Sequence, residues 1–191
     1  VIEMHDYGSD GEPGAPQLPA KTYMIALPPA AKVTGVQIIG LNQEELPKSY
    51  HIKPNALTIT GNEDSRELFQ KSLQNSQQEF DRNYNTIYSS DQLYPEQVGL
   101  FTGQGQWRRY TYARIRIYPF QYQPLSGKLI HYNSFSISID YDLPSENSLG
   151  MANIRHLLND NVLDDIISQH IFNFDDAKQW YPETNAGIQL S

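Results

Sequence analysis

At 191 residues the chain is long enough to bury a core without disulfides or metal, and its length suits one domain or one domain with extensions. It has no cysteine, which excludes disulfide staples, thiolate metal sites and a cysteine nucleophile among these residues. Acidic residues outnumber basic ones by 22 to 14, so the basic face of a nucleic-acid binder is not expected, and no apolar run approaches the ~20 residues of a membrane helix.

Val1 opens no signal-peptide pattern, so any such segment is expected to have been removed or to lie outside these residues. Residues 1–21 are rich in turn formers: Gly8, Gly11, Pro13, Gly14, Pro16 and Pro19 leave little room for regular structure. Tyr23, Ile25 and Leu27 recur with a period of two, which predicts a strand that Pro28-Pro29 stops. A second strand is predicted over about 32–39, with Val36 and Ile38 on one face, and Leu57 with Ile59 marks a short third. The stretch 61–92 turns polar, and loop or a mobile insertion is expected, with a short helix near 64–74 through Leu68, Phe69 and Leu73.

Gly99–Gln106 reads as a glycine-bearing turn region. The next strand, about 108–118, places Ala113, Ile115 and Ile117 on one face and Tyr112, Arg114, Arg116 and Tyr118 on the other. Gln123 to Lys128, with Pro124 and Gly127, is a strong turn signal. Phe135, Ile137, Ile139 and Tyr141 then alternate against serines and Asp140, while Ile130 and Tyr132 sit in the opposite phase, so a bulge is expected near Asn133. A helix follows, with Asn161 as its cap and Leu163, Ile166, Ile167 and Ile171 on its apolar face. Asp164 and Asp165 fall in its first turn, and an earlier helical turn draws on Ile154, Leu157 and Leu158. The expected fold is mainly β, a β-sandwich or jelly-roll-like pair of antiparallel sheets with one or two short C-terminal helices. One domain would span 1–174, and 175–191 would form a linker.

Complete catalytic constellations are missing. His5, His51, His131, His156 and His170 are isolated in sequence, in no metal-spaced pair, and no GxSxG elbow occurs. Gly103-Gln104-Gly105 reads as a turn rather than a phosphate loop. Asp6 to Glu12 lacks the ligand spacing of a calcium loop and reads as a solvated turn. No enzyme activity, metal or cofactor is therefore expected. Trp107-Arg108-Arg109-Tyr110, with Arg114 and Arg116, concentrates guanidinium and aromatic groups. It reads as a solvated strand face or as a partner-facing edge; stacking on nucleic acid is disfavoured by the acidity of the whole.

Several segments resemble a known family. Gly14-Ala15-Pro16-Gln17-Leu18-Pro19 before the Tyr23–Leu27 strand is similar to the opening of the N-terminal prodomain of gingipain-type cysteine peptidases, family C25. Tyr94-Pro95-Glu96 resembles a later aromatic-Pro-Gly-Glu segment, with Glu96 where the family often has glycine. Tyr118-Pro119-Phe120-Gln121-Tyr122-Gln123-Pro124, leading into the Phe135–Tyr141 strand, looks like its Pro-x-Gln-Tyr-Asn-Pro turn. Asp164-Asp165-Ile166 through Phe172-Asn173-Phe174 resembles its closing helix.

The resemblance implies a bacterial, secreted or cell-surface propeptide. Its partner would be the cysteine peptidase catalytic domain downstream in the same precursor, which it would help to fold and whose active site it would block until cleaved. A basic residue entering the specificity pocket would match Gln106–Thr111, so Arg108 or Arg109 is the candidate, with Trp107 and Tyr110 supplying apolar contact. Activation would need a cut in 61–92 or after Phe174. The last arginine is Arg155 and the last lysine Lys178, so an Arg-specific enzyme would have no arginine to cut in that tail. The competing readings are a β-sandwich binding or adhesion module, and an assembly domain of a secreted or surface protein.

Overall fold

Period-two apolar patterning carries several stretches of the chain into extended strands, which must pair to satisfy their backbone groups. The structure, a computed structural model, describes residues 4–5, 7–9, 11–57, 66–145, 151, 157 and 161–181. Its strands are β1 (Gly8–Ser9), β2 (Pro19–Leu27), β3 (Lys32–Glu45), β4 (Gly99–Trp107), β5 (Tyr110–Ile117), β6 (Phe120–Gln123) and β7 (Lys128–Asp142). Its helices are α1 (Arg66–Tyr88), α2 (Asp164–Ile167) and α3 (Phe174–Ala177). One sheet has the order β1-β2-β5-β4 and the other β3-β7-β6, the mainly antiparallel two-sheet class that the patterning predicts.

By its contacts the chain divides into two compact units. The first comprises Val1–Lys21, Ile39–Val98 and Ile117–Ser136; the second Thr22–Ile38, Gly99–Arg116 and Ile137–Ser191. The sequence suggests a single domain. Strands β2, β3, β5 and β7 contribute residues to both units, so no linker composition marks the division.

In the first unit, Leu18, Ile52, Phe120, Tyr122 and Leu129 form the core. The Pro-Phe-Gln-Tyr segment becomes β6, paired antiparallel with β7 from Phe120↔His131 to Gln123↔Lys128. The turn between them is the predicted one, and Gly127 takes its left-handed position (φ 68°), which side-chain-bearing residues avoid. The Tyr122 hydroxyl donates to the Tyr50 carbonyl at 2.9 Å, and the Tyr132 hydroxyl donates to Gln121 Oε1 at 2.7 Å. Both phenols thus enter the interior with a partner, as burial requires. Within β7, Leu129 and Tyr132 are both buried although three apart, so the period of two breaks near the predicted bulge.

Helix α1 departs from expectation. Its 23 residues replace the predicted loop and short helix, because Glu, Gln, Leu, Lys and Arg are strong helix formers. Phe69, Leu73, Phe80, Tyr84 and Tyr88 fall on one ridge, interrupted in sequence by the buried Ser76. Phe80, Tyr84 and Tyr88 stack successively, with ring centroids 6.0 and 4.7 Å apart. The Tyr88 hydroxyl donates to the Ile52 carbonyl at 2.7 Å, tying the helix end to the core.

In the second unit, Ala26, Tyr110, Ile167, Ile171, Ala177 and Tyr181 form the core. Gly99–Trp107 is strand β4 where a turn region is predicted. The Gln104 side chain receives the Val33 N–H at 2.8 Å and donates to the Ala31 carbonyl at 3.3 Å, anchoring a glycine-weakened strand through its side chain. On β5, Ala113, Ile115 and Ile117 are buried as predicted. Helix α2 is a single turn whose cap position is Leu163, not Asn161, and Ile166 faces solvent while Ile167 and Ile171 turn inward. Packed structure continues through α3 to the buried Tyr181 rather than yielding to linker at 175. Leu57 lies outside any strand; Ile59 falls outside the described residues, as do Ile154 and Leu158 of the expected helical turn and Asp6 and Asp10 of the acidic loop.

Candidate functional site

Strands β4 and β5 are joined by two residues, Arg108 and Arg109, and this tight hairpin separates the four candidate residues. Arg108 takes φ 50°, a left-handed conformation that hairpin turns usually give to glycine or asparagine. It is exposed at the tip, and the Gln106 amide donates to its carbonyl at 2.8 Å. Arg109 points the opposite way and is 1% exposed. Trp107 is half-buried and Tyr110 is buried.

The inward arginine explains why so polar a segment folds tightly. Arg109 Nη2 donates to Asp164 Oδ2 at 2.5 Å and to the Tyr110 hydroxyl at 3.2 Å. Burial works against the guanidinium's charge, but the Tyr110 hydroxyl and the Asp164 carboxylate outweigh it, and the pKa is raised. Burial likewise pushes the Tyr110 phenol up to about 12, although the Arg109 hydrogen bond opposes the shift. Arg109 is thus a permanently charged, paired interior group.

Residues after Asn161 complete the base of the hairpin. The Tyr110 ring lies 5.4 Å from Phe174 and 4.6 Å from Tyr181. The Tyr181 hydroxyl accepts the Thr111 N–H at 2.9 Å and donates to the Leu27 carbonyl at 2.7 Å, bridging β5 and the end of β2. Burial raises the Tyr181 pKa as well. Phe172 N–H donates to the Met24 carbonyl, and the Asn173 side chain pairs with both backbone groups of Ala26. The segment 171–173 therefore docks on β2. Trp107 packs against His170 with ring centroids 5.5 Å apart, so that histidine has a packing role.

Sequence reading places Arg108 and Arg109 as equivalent candidates; the fold makes one a surface group and the other an interior one. It misses Asp164 and Tyr181. The clue to Tyr181 is the aromatic density of Phe172, Phe174, Trp180 and Tyr181, more than a solvated linker carries. A polar cleft of about 650 Å³ opens beside Arg109, walled in part by Asp164, Asp165, Asp175 and Asp176. Among the described residues no three His, Asp or Glu side chains are grouped to hold a metal ion.

The family profile described as Propeptide_C25 matches residues 1–181. Among solved structures, the complex of Porphyromonas gingivalis RgpB pro- and mature domains is similar with a TM-score of 0.58 at 14% identity, over 90% of this chain and 77% of that one. At that identity the likeness concerns the fold. A structure described as giving insight into zymogenic latency of gingipain K from Porphyromonas gingivalis is similar with a TM-score of 0.49 at 18% identity, over 73% of this chain and 72% of that one. No curated protein matches.

Proposed function

The chain belongs to the C25 propeptide family, the non-catalytic propeptide part of C25 peptidase precursors, and from that premise we propose that it keeps its peptidase latent by lying over the active site, with Arg108 filling the specificity pocket. The observation that carries the reading is an exposed arginine at the tip of a two-residue hairpin whose other residues are held from behind. A plug must arrive already ordered, because freezing a loop and a long side chain on contact subtracts from affinity. The adjacent Trp107 offers apolar area beside the charge. A buried guanidinium binds tightly only where its charge is met, so the pocket that receives Arg108 carries a carboxylate and the peptidase prefers basic residues.

The partner in this reading is the C25 catalytic domain of the same precursor, which the propeptide also helps to fold. The precursor itself is read as exported, extracellular or surface-bound. No described helix is long and apolar enough to cross a membrane.

The test is the inhibition constant of the 191-residue chain against that catalytic domain. Arg108→Ala is expected to raise it by about tenfold or more, the loss of one charge-assisted anchor. An unchanged constant removes Arg108 from the pocket.

A further inference from the structure

The residues on either side of Arg108 share one support. Arg109 is held by Asp164, Tyr110 by Phe174 and Tyr181, Thr111 by the Tyr181 hydroxyl, and Trp107 by His170. All these supports come from the short stretch 164–181, far away in sequence from the hairpin. Arg108 itself stands on a left-handed backbone that an L-residue keeps only when its surroundings impose it.

We infer that Asp164 is a positioning residue for Arg108, and that the segment 164–181 is a brace that fixes the hairpin tip in the shape the pocket accepts. The inference rests on the latency reading and adds a second part to it. The stretch just after Asn161 belongs to the inhibitor and is not a tether. Asp164 acts through its neighbour: its carboxylate fixes the Arg109 guanidinium inward, and with the side chains of a two-residue turn committed in opposite directions, Arg108 is directed outward. Tyr181 supplies the second hold, because its hydroxyl fixes the first backbone N–H beyond Tyr110.

A double-mutant cycle on the full chain separates positioning from plain destabilisation. Inhibition of the C25 catalytic domain is measured for the unaltered chain, Asp164→Asn, Arg108→Ala and the double variant, each with its melting curve. If Asp164 works through Arg108, Asp164→Asn weakens inhibition by about tenfold in the unaltered chain and by less than about twofold once Arg108 is alanine. Equal losses in both backgrounds, or no loss in the first, overturn the brace while leaving the latency reading intact. If Asp164→Asn melts below the assay temperature, the same cycle with Tyr181→Phe decides by the same two outcomes, since that change keeps the ring and removes only the hydroxyl. An unaltered chain that does not inhibit at all overturns both inferences.

Discussion

Replacing Arg109 by alanine removes a guanidinium that is 1% exposed and leaves the Asp164 carboxylate, 21% exposed, without it. Breaking a buried ion pair from one side costs about 3–5 kcal/mol. Partial access of water to Asp164 places this case at the low end, about 3 kcal/mol. For a chain of this length that corresponds to a fall of roughly 6–12 °C in melting temperature. The neighbouring arginine responds the other way. A left-handed L-residue carries about 1–2 kcal/mol of strain, and glycine relieves it while adding about 0.5–1 kcal/mol of unfolded-chain entropy. Arg108→Gly is therefore expected to stabilise by about 0.5 kcal/mol. Urea titrations followed by circular dichroism measure both, with fluorescence of the two tryptophans as a second probe. A loss under about 1 kcal/mol for Arg109→Ala would mean that the guanidinium is hydrated, and the division of labour between the two arginines would fall with it.

Three further outcomes follow from the packing. Leu129→Ala, in the core of the first unit, is expected to cost about 3 kcal/mol, and a cost below about 1 kcal/mol in urea would contradict its full burial. Gly14→Ala should cost several kcal/mol, because φ is 81° and the new Cβ would lie 2.3 Å from the Phe80 carbonyl oxygen; a variant as stable as the parent would place α1 elsewhere. Alkaline pH should weaken the fold: burial pushes Tyr94 and Tyr110 up to about 12, so the folded chain keeps protons that the unfolded chain releases near pH 10. That stability is intact below about pH 10 and lost as pH rises towards about 12, and equal urea midpoints at about pH 9 and about pH 11 would contradict it.

What the sequence discloses is governed by whether one stretch carries its own signal. Strand β5 and the turn at Gly127 are legible because period-two burial and a left-handed position are local properties. Helix α1 is not, since its aromatic ridge is diluted by glutamine and asparagine and its buried Ser76 breaks the apolar count. Strand β4 is masked by its glycines, and its anchor, Gln104 against Val33 and Ala31, joins positions 71 and 73 residues apart. The candidate site is half legible. The Trp-Arg-Arg-Tyr cluster stands out by composition, yet only the fold says that Arg109 meets Asp164, fifty-five positions away. Ion pairs between distant segments leave no periodic trace.

The central claim concerns access to a peptidase active site, and alkylation of its catalytic cysteine tests it most directly. The rate of thiol modification of the C25 catalytic domain is measured with and without a stoichiometric amount of the chain, and again with Arg108→Ala. Strong protection by the unaltered chain, lost in large part with the variant, is the predicted result. A thiol that reacts equally fast whether or not the chain is bound would contradict the account.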